Sequence, residues 1–219
     1  MRAEIDEIGV KKAYARWAPV YDLVFGGPLF DRGRRAAINA ADTVGGTILE
    51  VGVGTGISLS DYSPDNRIIG VDLSEQMLQK AKARVLELAL SNVVELEVMD
   101  AEHLLFPDDS FDVVVATYVI STCPNPEAAL DEFARVVKPG GEIVLANRVG
   151  AEAGLRRKVE ETLRPIACLL GWRLDFPWKR FADWVAQRTD IHLIERRPMP
   201  PFDHFSLLRF GKSLPQLES

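Results

Sequence analysis

The sequence predicts an α/β protein, a mostly parallel sheet with helices on both faces and an antiparallel hairpin at one edge. Apolar runs of strand length alternate along the chain with helical patterns, the signature of strand–helix–strand units. The runs are continuous in Val, Ile and Leu instead of strictly alternating, as expected of strands covered on both faces. The last two runs are joined by too few residues for a helical crossover, so they should pair antiparallel.

Residues 1–45 read as helices laid over the sheet. Thr47–Val51 (TILEV) is the first strand and leads into a glycine cluster, and Arg67–Val71 (RIIGV) is the second and ends at Asp72. Ser74 is the N-cap of a helix, SEQMLQKAKARVLELAL, in which Met77, Ala81, Val85 and Leu88 recur at helical spacing and predict a buried stripe. Val93–Val98 is the third strand, ending before Asp100, and Phe111–Thr117 is the fourth. Pro126 suits the first turn of PEAALDEFARVV, a helix predicted to end at Lys138, before a proline and two glycines. Glu142–Ala146 is the fifth strand. Residues 151–190 form a helical insertion, and Ile191–Glu195 and Phe205–Phe210 close the sheet. No repeat or low-complexity linker divides the chain, so 1–219 is expected to be a single domain carrying that cap and insertion.

The 219 residues are 47% apolar and 26% charged, an ordinary globular balance in a chain long enough to bury a core unaided. Cys123 and Cys168 are too few for a disulfide framework, and neither sits in a metal-like pair. His103 and His192 likewise have no partner at ligand spacing, so no metal is expected. The opening MRAEIDEIGVKK lacks the apolar run of a signal peptide, and no stretch approaches the roughly 20 apolar residues that span a bilayer. A cytoplasmic protein is the expectation. Net charge is −6 and uneven, with 13 Lys and Arg against 23 Asp and Glu in residues 1–147, and 13 against 9 beyond. The acidic body argues against nucleic-acid binding, whereas the basic tail admits a local anionic partner.

The strongest chemical signal is Ile48-Leu49-Glu50-Val51-Gly52-Val53-Gly54-Thr55-Gly56, where a strand ends in a tight turn without side chains. Such a turn lets backbone approach a ligand at the carboxyl end of the first strand. Asp72 follows Gly52 by 20 residues, where a carboxylate can accept two ribose hydroxyls. Asp100 ends the third strand and can accept from an amine such as adenine's exocyclic nitrogen. Three carboxylates at successive strand ends (Glu50, Asp72, Asp100) are far more specific than the glycines alone. The spacing is G-x-G-x-G, not the G-x-G-x-x-G of dinucleotide folds, and no lysine follows as in a P-loop. The turn therefore suits a nucleoside without a pyrophosphate.

Through LEVGVGTG, GVDLSEQML, MDAEHLLFPDDSFDVVVA and ARVVKPGGEIVL, residues 45–147 resemble the class I S-adenosylmethionine-dependent methyltransferases. The resemblance implies a Rossmann-like seven-stranded, mostly parallel sheet with helices on both faces and an antiparallel edge hairpin, and S-adenosyl-L-methionine as cofactor. It implies that Glu50 belongs to the cofactor site and that Gly52, Gly54 and Gly56 face methionine and ribose. Asp72 would hold the ribose hydroxyls, and Leu73 and Met77 would flank the adenine. Asp100 and the Ala101 amide would read its edge, and Thr117 would line the methionine pocket.

Two further blocks, YARWAPVYDLVFG (Tyr14–Gly26) and ERRPMPPFDHFSLLRFGK (Glu195–Lys212), are similar to soluble bacterial phosphatidylethanolamine N-methyltransferases. The ubiquinone/menaquinone C-methyltransferases share the first block and the core. This implies a phospholipid substrate met at the inner face of the membrane, with a quinone precursor or small metabolite as the alternative acceptor and a non-catalytic cofactor or lipid binder as the outlying one. Tyr14, Tyr21 and Tyr118 are the candidates for taking the amine proton, because aromatic faces also stabilise methylated ammonium products by about 0.5–2 kcal/mol each. Ordinary helix packing is the plain alternative for each. Residues 156–188 mix Arg and Lys with Trp172, Phe176, Trp178, Phe181 and Trp184. That composition fits either an interfacial segment touching an anionic surface or a lid packing its aromatics on the core.

Overall fold

The structure, a computed structural model, describes residues 27–150, 176–199 and 205–215. Helix α1 (Pro28–Val44) precedes β1 (Thr47–Val51) and β2 (Arg67–Asp72). Then come α2 (Glu75–Glu87), β3 (Val93–Val98) and β4 (Phe111–Thr117). After α3 (Pro126–Val136), β5 (Val137–Arg148), α4 (Trp178–Ala186), β6 (Ile191–Met199) and β7 (Phe205–Lys212) complete the described residues. The strands form one seven-stranded sheet in the order β3-β2-β1-β4-β5-β7-β6. β3, β2, β1, β4 and β5 run parallel, and β7 enters antiparallel between β5 and β6.

Successive side chains leave a strand on opposite faces, and here both faces are apolar. Leu49, Val51, Val114, Ala116, Ile143, Leu145, Leu208 and Phe210 pack beneath Leu130 and Phe133 of α3 and Phe181 and Trp184 of α4. Ile48, Val113, Val115, Val144, Ala146 and Leu207 pack beneath Ala37, Ile38 and Ala41 of α1 and Leu78 and Ala81 of α2. Two cores, one on each side, explain why the strands read as unbroken Val/Ile runs. Residues 1–26 of the expected helical cap lie outside the described residues; α1, its described part, lies over β4, β5 and β7.

Local chemistry moves several boundaries. Helix α3 stops at Val136, and strand pairing begins at Val137, not at Glu142. Pro139 forces extended geometry on the preceding residue, and Gly140 adopts a φ of 81°. Val137 can then pair with Phe111, before an irregularity that sets Glu142 beside Val113. Leu88 is 49% exposed at the end of α2, so the stripe is completed by Leu78 instead. β6 continues four residues past Glu195, to Met199.

The described part of the insertion packs three of its aromatics onto the core. Phe176, Phe181 and Trp184 are all buried, and the Trp184 indole donates to Asp131 at 2.8 Å. The cations beside them are paired: Arg180 with Glu127, Lys179 with Asp183, and Arg188 with Asp131 and Asp190. Trp178 lies under the Arg196 guanidinium, 4.3 Å from its ring centre. Residues 151–175, which include Trp172 and the arginines before it, lie outside the described residues. Phe181 is fully buried, with ring neighbours Phe176 at 5.3 Å and Phe210 at 6.2 Å. Phe181→Ala should therefore cost about 3–5 kcal/mol, read from the urea midpoint, with no change in strand content by circular dichroism.

Candidate active site

The strand order reverses between β1 and β4, so the loops leaving their carboxyl ends diverge to opposite sides and open a crevice. A cleft enclosing about 740 Å³, open solvent at its mouth included, occupies it. Its walls come from four strand ends and one further loop: Val51 and Gly52, Asp72–Ser74, Met99–Ala101, Thr117–Val119, and Thr122–Pro124.

Asp72 organises the floor. Its Oδ2 accepts the Gly54 amide and its Oδ1 the Ser74 amide, each at 2.8 Å. Ser74 in turn caps α2, its hydroxyl accepting the Met77 amide at 3.4 Å. Burial raises the Asp72 pKa, and the two amides hold it back. Gly52 stands at φ 73°, and a Cβ there would lie 2.2 Å from a Val119 methyl, so the two loops can meet only over a glycine. Gly56, at φ 74°, packs against Leu59 and Ala81 of α2.

The opposite wall is fastened by side chains. Asp100 accepts the Glu102 amide at 2.9 Å, and its other oxygen lies 3.9 Å from His103 Nδ1. Glu102 takes the Asn125 amide at 2.7 Å and its side-chain amide at 2.9 Å, binding the β3–β4 loop to the loop before α3. Arg135 grips the same loop through the Leu104 and Phe106 carbonyls and pairs with Glu132 and Asp108.

Tyr118 is in the left-handed region at φ 65°, a strained conformation for an aromatic residue. Its amide donates to the Ala146 carbonyl at 2.7 Å, and its ring meets Phe30 and Phe205 edge-on at 5.1 and 5.0 Å. The hydroxyl donates to the Phe30 carbonyl at 2.7 Å, and burial pushes its pKa well up. The Tyr118 hydroxyl thus ties the β4 end of the cleft to α1. Tyr14 and Tyr21 lie outside the described residues.

Of the expected cofactor positions, Gly52, Asp72, Leu73, Asp100, Ala101 and Thr117 meet around one cleft. Glu50, Gly54, Gly56 and Met77 are buried and are not among its lining residues. Met77 is 1% exposed on the inward side of α2. Gly54 and Gly56 act through backbone conformation and close packing. Sequence reasoning missed Met99, Ser74 and the Val119–Pro124 segment. The last follows a buried strand at the switch point and ends in Cys123-Pro124 before a helix, a position that marks it as a site loop.

Glu50 stands behind the glycine turn, 2% exposed. Burial pushes its carboxyl up to about 7; the neighbouring Ser58 and Tyr62 hydroxyls and the charge of Arg34 oppose the shift. Among the described residues no three potential ligands gather as a metal site, and no helix is long and apolar enough to cross a membrane.

Residues 49–145 match the family described as a methyltransferase domain. The chain is 41% identical over 203 residues to a phosphatidylethanolamine N-methyltransferase of Cereibacter sphaeroides, covering 93% of this chain and 97% of that one. It is 32% identical over 136 residues to a ubiquinone/menaquinone biosynthesis C-methyltransferase of Pseudomonas fluorescens, over 60% of this chain and 53% of that one. The YcgJ protein of Bacillus subtilis shares the fold with a TM-score of 0.69 at 18% identity, over 84% of this chain and 99% of that one.

The folded Glu50 carboxyl binds its proton more tightly, at about 7, than an ordinary glutamate at 4.5. Its contribution to stability is therefore whole below pH 4.5 and is lost as pH rises through 7, a difference of about 3 kcal/mol. Glu50→Gln, which does not titrate, should match the wild type near pH 4.5 and exceed it by up to that amount at pH 8. Urea unfolding across this range checks it; parallel pH profiles would remove Glu50 as the cause.

Proposed function

Because the chain belongs to the class I S-adenosylmethionine-dependent methyltransferases, we propose that it methylates the amino nitrogen of phosphatidylethanolamine at a membrane surface, toward phosphatidylcholine. The similarity over 203 residues carries this reading, because it extends beyond residues 49–145 into the segments outside the cofactor core, where acceptors are selected. A quinone-precursor acceptor is the second reading, supported by the shorter C-methyltransferase match.

The cleft's donor set fits the cofactor. After its two backbone bonds Asp72 keeps one acceptor position on each oxygen, enough for the two hydroxyls of a ribose. Leu73 and Ala101 stand where they can flank a flat ring, and Asp100 can accept from an exocyclic amine. Two carboxylates make the cleft negative, which suits a sulfonium cation. When bound, S-adenosylmethionine supplies an electrophilic methyl group, which passes to the nitrogen lone pair while sulfur retains the electrons of the broken C–S bond.

The chain's residues hold the reactants and exclude water. Positioning of this kind is worth up to about 7–11 kcal/mol. Thr117, Tyr118 and Val119 form the end of the cleft at β4, and the amine approaches past them. An amine with a lysine-like pKa of about 10.4 is neutral in roughly one molecule in 10³ at pH 7, a cost of about 4–5 kcal/mol. A dry site lowers that pKa, and a nearby acceptor removes the proton. Tyr14 and Tyr21 are the proposed aromatic partners of the headgroup, while Tyr118 supports the wall through its bond to Phe30.

Incubation with methyl-labelled S-adenosylmethionine and vesicles of phosphatidylethanolamine and phosphatidylglycerol should place label in the lipid, and more weakly when the anionic lipid is omitted. Label that enters only a quinone-precursor acceptor selects the second reading. Asp72→Ala should weaken cofactor binding in calorimetry by at least tenfold, since a hydrogen bond to a charged acceptor contributes about 1.5–3 kcal/mol. It should also lower stability, because the Gly54 and Ser74 amides lose their acceptor. Unchanged cofactor affinity would contradict the pocket described.

A further inference from the structure

Asn147 lies near the end of β5, beyond the residues that line the cleft, and has a polar atom without a partner among the described residues. Its side chain is 1% exposed. Its Nδ2 donates to the Arg148 carbonyl at 2.9 Å, which fixes the amide's orientation, since the reversed amide would set oxygen against oxygen. The Oδ1 is then left buried with no hydrogen-bond donor among the described residues. Native proteins rarely leave such an acceptor unused, and the exceptions are accounted for by strain, a catalytic role, or an ordered water or ion.

The position also points to a ligand. Thr117 pairs with Ala146, and the Tyr118 amide donates to the Ala146 carbonyl, so Asn147 is level with Tyr118 on the next strand. Alternation along β5 puts Ile143, Leu145 and Asn147 on one face, and Leu145 packs in the cluster that holds Val51 and Cys123 of the cleft wall. Asp72 and Asp100, the groups suited to ribose and base, are on the far side of β1. The reacting end of a bound cofactor therefore lies toward β4, and β5 is the next strand beyond it.

We propose that Asn147 is a specificity-determining residue for the acceptor, its side-chain oxygen taking a hydrogen bond from an N–H of the attacking amine. This rests on the amine-headgroup reading given above. A neutral primary amine brings two N–H groups to the attack, a monomethylamine brings one, and a dimethylamine brings none. Asn147 therefore favours the first two methyl transfers over the third, and an acceptor attacking through carbon draws no benefit from it.

The experiment compares Asn147→Ala with wild type on vesicles of phosphatidylethanolamine, its monomethyl form or its dimethyl form, each mixed with phosphatidylglycerol, and measures cofactor affinity by calorimetry. The expected result is a loss of at least tenfold in kcat/KM on the first two lipids, with the third and the cofactor Kd within threefold of wild type. Should alanine prevent folding, Asn147→Ser is expected to show the same pattern to a smaller extent. An equal loss on all three lipids, a parallel loss of cofactor affinity, or no loss overturns the role of Asn147. A wild type inactive on every headgroup overturns instead the amine reading on which the proposal rests.

Discussion

One carboxylate joins the two turns from which the cleft is built. Asp72 receives the amide of Gly54 from the turn after β1 and the amide of Ser74 from the turn after β2. The first bond closes the glycine turn over the strand ends, and the second sets the start of α2. The geometry leaves half of each oxygen's accepting capacity facing the cleft, so the group that shapes the site can also bind in it. Removal of Asp72 from water is the cost, visible as a raised pKa that two backbone bonds only partly offset.

The remaining walls depend on reach across the sheet. Glu102 and Arg135 fasten the β3–β4 loop to the segments around α3, and Tyr118 fastens the β4 end to α1. These ties span 23, 31 and 88 residues of sequence, so the cleft exists only in the assembled fold. The twofold-covered sheet gives them a rigid base, because every strand at the switch point is buried on both sides.

Much of this was legible in the sequence, for stated reasons. Strands buried on both faces leave continuous apolar runs, and a tight turn before a ligand site requires glycines. Gly52, Asp72, Asp100 and Thr117 could therefore be placed by their positions at strand ends. What escaped was decided by side-chain direction and tertiary partners. Met77 stands one helical turn past the capping Ser74 but points into the protein. Tyr118 follows a strand just as a catalytic residue would, yet its hydroxyl is taken by a carbonyl 88 residues away. The aromatics of 176–186 have the composition of an interfacial helix, and only the positions of Phe210, Asp131 and Glu127 reveal that they are packed and paired. The end of α3 was misplaced because strand pairing of Val137 with Phe111 competes with one more helical residue.

The cofactor and the acceptor rest on different parts of the chain. The positions proposed for the cofactor stand at the ends of four strands around the cleft. The proposed acceptor contacts lie around the β4 and β5 ends. The central claim is that the carboxyl ends of β1 to β4 hold the nucleoside with Asp72 on its sugar. A crystal structure with S-adenosylhomocysteine tests it most directly. The ribose hydroxyls should lie within hydrogen-bonding distance of the Asp72 carboxylate, with the base between Leu73 and Ala101. A ligand seated elsewhere, or a sugar that leaves Asp72 untouched, would contradict the account.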